Sequence, residues 1–77
     1  MSERAQILFM QTRLIRLASE KWGISIIQAN DIFAEYHILE FIEDCFDEFH
    51  MEGDDAVLYE IETLLKEKGA KLYAGTN

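Results

Sequence analysis

Apolar residues recur at helical spacing along most of the chain. The first stretch has apolar positions three or four residues apart: Ile7, Met10, Leu14, Ala18 and Trp22. This spacing puts them on one side of a helix, and Leu8 and Ile15 widen the apolar arc. Ser2 is a suitable N-cap, and Gly23 can take the left-handed conformation that ends many helices. We therefore predict a first helix over residues 3–22.

A second and a third helix follow from the same periodicity. Ser25 and Gln28 form a capping-box pattern at the start of a helix over about 26–36. Its expected buried residues are Ile26, Ala29, Ile32, Phe33 and Tyr36. The third helix covers 38–51, with apolar residues on one arc and acids on the other. The boundary at Tyr36-His37 has no proline or glycine, so two separate helices and one kinked helix both remain open.

A fourth helix over about 55–68 completes the pattern. Gly53 marks a break, Asp54 or Asp55 can cap the helix, and Gly69 can end it. Glu62 and Lys66 are spaced for an ion pair within this helix. No segment alternates apolar and polar residues as a half-buried strand does. The sequence thus predicts an all-α, compact bundle of four short helices with a short C-terminal tail, forming a single domain over residues 1–77.

The charge of the chain excludes one class of partner. There are 15 acidic and 7 basic side chains, a net charge of −8, and 49% hydrophobic residues. Such hydrophobicity argues against intrinsic disorder. Between Lys21 and Lys66 there is no Lys or Arg, and 12 of the acids lie there. Because this stretch repels phosphate, we expect no nucleic-acid partner and reject a helix-turn-helix function.

The compartment is expected to be the cytoplasm. The N-terminal residues do not resemble a signal peptide, and no stretch approaches the roughly 20 apolar residues of a membrane span, so no membrane partner is expected. The single Cys45 suits a reducing environment.

The sequence gives little support for a catalytic site or a metal-binding site. Glu43, Asp47 and His50 share one side of the third helix, but helical di-iron sites need two carboxylate-x-x-His pairs and further carboxylates. Cys45 lies within the apolar arc, where a thiol is usually inert. We assign no catalytic, cofactor-binding or metal-binding residue and expect no cofactor. A metal-dependent enzyme is the weakest alternative, and we expect the protein not to be an enzyme.

Several side chains are candidates for contacts with a partner. Phe9 projects from the polar side of the first helix near Arg13 and Arg16, and aromatic and Arg residues are enriched at interface centres. Tyr59 faces outward on the last helix. Leu72 and Tyr73 follow that helix and either contact a partner or pack back on the chain's own core. The basic first helix and the acidic middle can also meet, within one chain or between two.

The pattern resembles a family of small bacterial helical proteins classed as domain of unknown function three-seven-nine-one. The resemblance covers about residues 7–68 and rests on short motifs: Ile32-Phe33-Ala34-Glu35-Tyr36, Ile38-Leu39-Glu40-Phe41-Ile42, Phe46-Asp47-Glu48-Phe49-His50 and the following Met51-Glu52-Gly53, with Glu60-Ile61-Glu62 and Leu65 in the last helix. His50 occupies a matching position of the family motif. The family implies no established activity. Its members are sometimes encoded beside ADP-ribosyltransferase-like proteins, which implies an antitoxin-like or regulatory role.

Together these observations predict a small cytosolic protein–protein interaction module that binds a protein partner or associates with itself as a homo-oligomer. The alternative is an antitoxin-like acidic neutraliser of a neighbouring ADP-ribosyltransferase-like protein.

Overall fold

The fold is an all-α globule of five helices in the part of the chain that the structure describes, residues 2–72, and no strand occurs there. The structure is a computed structural model. The helices are α1 (Glu3–Trp22), α2 (Ile26–Glu35), α3 (Ile38–Asp44), α4 (Phe46–His50) and α5 (Asp54–Glu67). The predicted fold class is therefore confirmed, although the predicted third helix is divided in two.

Local capping chemistry sets the ends of α1 and α2 as predicted. The Ser2 hydroxyl accepts a hydrogen bond from the Ala5 N–H, and Gly23 is left-handed with φ of 69°. Ser25 and Gln28 form both hydrogen bonds of the capping box at the start of α2. At α5 the prediction was wrong in detail: Gly53, which has no side chain, is the N-cap residue, and both following aspartates lie inside the first turn. Acidic groups there still interact favourably with the helix dipole.

The junction between α2 and α3 resolves the question that the sequence left open. His37 is left-handed, with φ of 60°, a conformation that costs roughly 1–2 kcal/mol for a residue with a Cβ and that histidine tolerates better than most. This left-handed residue interrupts the right-handed helical backbone, so α2 and α3 are separate helices.

The division between α3 and α4 is milder. Cys45 has ψ of 16°, far from the helical value of about −42°. Hydrogen bonds nevertheless continue through it: the Cys45 N–H donates to the Phe41 carbonyl at 3.0 Å, and the Phe49 N–H donates to the Cys45 carbonyl at 2.9 Å. Because Ile42 and Phe46 on either side are both buried, the turn keeps both short helices on the core.

One hydrophobic core lies between the helices, and its largest fully buried side chains come from α1, α2, α3 and α5: Trp22, Phe33, Leu14, Ile38, Ile42, Leu58, Ile61, Leu65 and Val57. The rings of Trp22 and Phe33 pack 6.2 Å apart, centroid to centroid, at 50°. One predicted core position was wrong: Ile26 is 54% exposed rather than buried. Glu62, an acid outside the predicted apolar stripe of its helix, is buried.

Glu62 is buried because its carboxylate accepts hydrogen bonds from two side chains of α1. Its carboxylate accepts a hydrogen bond from the Trp22 indole N–H at 2.8 Å and another from the Lys21 ammonium at 3.2 Å. A buried indole needs such an acceptor. Glu62 was predicted to pair with Lys66 within α5. Its carboxylate instead forms hydrogen bonds that link α5 to α1.

Candidate protein interface

The basic residues of α1 meet the acidic middle within the same chain. Arg13 donates to both oxygens of Asp54, at 3.1 and 3.4 Å. Arg4 contacts Glu43 at 3.3 Å, and Lys21 contacts the buried Glu62. These pairs are formed within one chain, which is one of the two arrangements that the sequence allowed. Arg13 is therefore engaged within the chain, although its side chain remains half exposed.

Arg16 differs from its neighbours on α1. Within residues 2–72, no carboxylate lies within 4.0 Å of its guanidinium. It is exposed and lies at the edge of two surface cavities, one shared with Arg13 and the start of α5 and the other with α2. This side chain can therefore donate hydrogen bonds to a carboxylate of another molecule.

Phe9 and His50 come together at a small cavity. Phe9 is half exposed, and the cavity, of about 170 Å³, is lined by Gln6, Phe9, Met10, Arg13, Phe46 and His50. The His50 ring packs 5.5 Å from the Phe46 ring, centroid to centroid. The matching family-motif position is thus an exposed residue at the end of α4, packed against a buried aromatic ring.

The remaining predicted contact residues are not brought together. Tyr59 is well exposed on α5. Leu72 is buried in the core cluster, so it is not available to a partner; burial of a leucine on its own chain removes the apolar area that would have favoured docking. Tyr73 lies outside the described residues.

A second apolar surface, which the sequence analysis missed, lies between α1 and α2. We call it the α1–α2 groove; its lining residues are Thr12, Ile15, Arg16, Ile26, Ile27 and Asn30, around a cavity of about 350 Å³. Ile26 and Ile27 are 54% and 74% exposed. Leu8, half exposed, lies one turn before Thr12, whose hydroxyl donates to the Leu8 carbonyl. Leu8 thus adds an exposed apolar side chain on α1 one turn before the groove.

The sequence did contain a sign of this groove. Ala29 is fully buried on α2, and Ile27 precedes it by two residues, which is about 200° around a helix. Ile27 must therefore face away from the core once Ala29 faces it.

Carboxylates crowd the surface around Cys45. We call Asp44, Glu48, Glu52 and Glu60 the acidic surface; all four are exposed. The pKa of Glu52 is raised from 4.5, because its protonated carboxyl can donate a hydrogen bond to Glu60, and also through partial desolvation and the charges of Glu60 and Glu48. Burial, and after it the charges of Glu48, Asp44 and Glu60, raise the pKa of the Cys45 thiol. A raised pKa disfavours the thiolate that a nucleophile needs.

The geometry gives no support to a metal site at Glu43, Asp47 and His50. Among residues 2–72, no three His, Cys, Asp or Glu side chains lie close enough to share a metal ion, and Glu43 is instead paired with Arg4. Over the same residues, no helix is long and apolar enough to cross a membrane.

Comparison with known proteins gives a family but no characterised relative. A family described as Protein of unknown function (DUF3791) matches residues 9–68 of the chain. No curated protein and no solved structure matches significantly. Because the match covers most of the 77 residues, the chain belongs to the DUF3791 family.

Proposed function

We propose that this DUF3791 protein is a protein–protein interaction module that binds through the α1–α2 groove. The observation that carries the proposal is the exposure of Ile26 and Ile27 beside Arg16. The buried centre of an interface is more apolar than its rim, and arginine is enriched at interfaces. Local structure does not require the two isoleucines, since the cap of α2 uses Ser25 and Gln28 and β-branched residues are mediocre helix formers.

The same features support a binding role rather than catalysis. Burial and nearby carboxylates raise the pKa of the Cys45 thiol, which disfavours the thiolate that a cysteine nucleophile needs. The proposed partner is a protein and not a nucleic acid, because carboxylates dominate the exposed faces of α3, α4 and α5 and repel phosphate.

Position-specific photo-crosslinking in cells tests the proposal. A photoreactive amino acid placed at residue 27 should form a covalent adduct with a protein that mass spectrometry identifies. The matched control places the same amino acid at Met51, which is 82% exposed and lies outside the groove. An adduct at 27 and none at 51 supports the module; no protein adduct at 27, or equal adducts at both positions, contradicts it.

A second candidate function rests on the acidic surface. Its four carboxylates are all exposed. A hydrogen bond to Glu60, and after it desolvation and the charges of Glu60 and Glu48, raise the pKa of Glu52, and a cationic surface on a partner would relieve the repulsion within this group. We propose as the alternative an antitoxin-like neutraliser of a neighbouring ADP-ribosyltransferase-like protein, bound through this surface.

Titration calorimetry with the product of the neighbouring gene tests this alternative. Binding should weaken with added salt and on Glu48→Gln or Glu60→Gln, while Glu67→Gln on α5, outside the acidic surface, should leave the affinity unchanged. A missing complex, or equal losses for all three variants, would sink the alternative.

A further inference from the structure

We propose that the occupant of the α1–α2 groove is a second copy of this chain, related to the first by a two-fold axis. This inference rests on the proposed function, and it names the partner of the same surface. Three observations favour a second copy: the charge of the groove, its extent, and the place of Leu8 beside it.

The charge of the groove is opposite to that of the chain. Its lining contains one charged residue, Arg16, whereas the whole chain carries −8. A basic partner would therefore be attracted to the acidic surface and not to the groove. A partner of the groove therefore needs an apolar centre with carboxylates placed beside it to meet Arg16.

Charges of both signs border the groove, as a self-complementary interface requires. Asp31 lies one turn after Ile27 on α2, and Glu20 lies one turn after Arg16 on α1; both are exposed. In a two-fold arrangement every residue of the face occurs on both sides, so Arg16 of each copy faces a surface with carboxylates at its rim. The apolar centre lets two chains approach despite their net repulsion, because the groove lining itself has no acid.

The size of the face suits a weak dimer. Helix α1 has 20 residues and is about 30 Å long, whereas α2 has 10 residues and runs beside it for about 15 Å. With a width of roughly 20 Å where both helices are present and roughly 10 Å where α1 is alone, the face covers about 450 Å² before surface relief is counted. That is a little over half of the roughly 800 Å² per partner of a standard interface and is typical of weak association. Leu8, exposed on α1 one turn before Thr12, adds apolar area beyond the cavity.

Analytical ultracentrifugation of the full chain tests the dimer. The wild type should pass from monomer to dimer as the concentration rises through the micromolar range. Ile27→Lys should weaken association at least about 100-fold, because both copies lose a buried isoleucine and gain a buried charge. This variant also lowers the net repulsion, so a loss of dimer cannot be an effect of overall charge.

Two matched controls keep the test specific. Met51→Lys makes the same change in charge on an exposed residue outside the groove and should leave the dimer intact. Arg16→Gln should weaken association about tenfold, whereas Arg4→Gln, with the same loss of charge, should not. Circular dichroism of each variant checks that the helices are retained.

A wild type that stays monomeric, or a dimer that Ile27→Lys leaves unchanged, overturns the inference. A second-copy adduct from the crosslinker at residue 27 supports it. The two proposals fail separately: a monomeric chain whose residue 27 crosslinks a different protein refutes the dimer and retains the interaction module, while a chain without a position-specific adduct refutes the module itself.

Discussion

Helix α1 has two sides with different chemistry. We call the side that faces α5 the α1–α5 seam. There Glu62 accepts hydrogen bonds from the Trp22 indole and from Lys21, and Asp54 accepts one from Arg13. Toward α2, the groove leaves aliphatic side chains in water and Arg16 without an ion pair among residues 2–72. The polar groups of the seam are paired within one chain, whereas Arg16 of the groove is not. This difference indicates which side of α1 is expected to bind a partner.

The largest effect should separate the two faces of α2. Phe33→Ala removes a fully buried ring and should lower the free energy of unfolding by about 3–5 kcal/mol. Ile27→Ala, on the opposite face, should change it by no more than about 0.5 kcal/mol when the protein is dilute enough to be monomeric. Urea unfolding followed by circular dichroism measures both. A large loss for Ile27→Ala in the monomer would mean that the groove is part of the fold.

The buried carboxylate of the seam should give the next largest effect. Glu62→Ala leaves the indole N–H of Trp22 buried without its acceptor, which should cost about 1–3 kcal/mol. The matched control is Glu67→Ala, an exposed residue on the same helix, expected to stay within about 0.5 kcal/mol. Equal losses for both variants would show that Glu62 matters only as a charge on α5. Trp fluorescence during urea unfolding reports directly on the seam.

Sequence patterns predicted the parts of this structure that depend on near neighbours. The capping residues Ser2, Ser25 and Gln28 and the helix end at Gly23 need only a few adjacent residues, so their roles could be derived. The burial of Glu62 could not, because it depends on an indole 40 positions away. The left-handed conformation of His37 could not be predicted either, since a histidine is compatible with a kinked helix as well as with a break.

The candidate site was less predictable than the fold for a related reason. Periodicity identifies the face of a helix that is apolar, but not which apolar residues lack a partner helix. Ile26 satisfied the spacing of a core residue and proved to be exposed, whereas Leu72 followed the last helix and proved to be buried. Only the assembled packing distinguishes the two.

A smaller effect should distinguish paired from unpaired arginines on α1. Arg13→Gln breaks the contacts with Asp54 and should cost about 0.2–1 kcal/mol at low salt, since both partners are partly exposed. Arg16→Gln breaks no ion pair among the described residues and should leave the free energy of unfolding unchanged in the dilute monomer. Repeating the urea titrations at 1 M salt, where the Debye length falls to about 3 Å, should remove most of the difference. A difference that persists at high salt would point to packing of the Arg13 stem.

The smallest effect should come from the acidic surface, and its sign depends on pH. The folded pKa of Glu52 is raised above 4.5, so the folded state holds the proton more tightly than the unfolded state. Ionised Glu52 therefore destabilises the fold at pH values above its folded pKa, and this cost is relieved as the pH falls through that value toward 4.5. Glu52→Gln should accordingly raise stability at pH 7, and its advantage over the wild type should disappear below pH 4.5. Urea midpoints at both pH values give the comparison, with Glu35→Gln on α2 as the control. An advantage of equal size at both pH values would show that the substitution acts through local packing and not through the titration of Glu52.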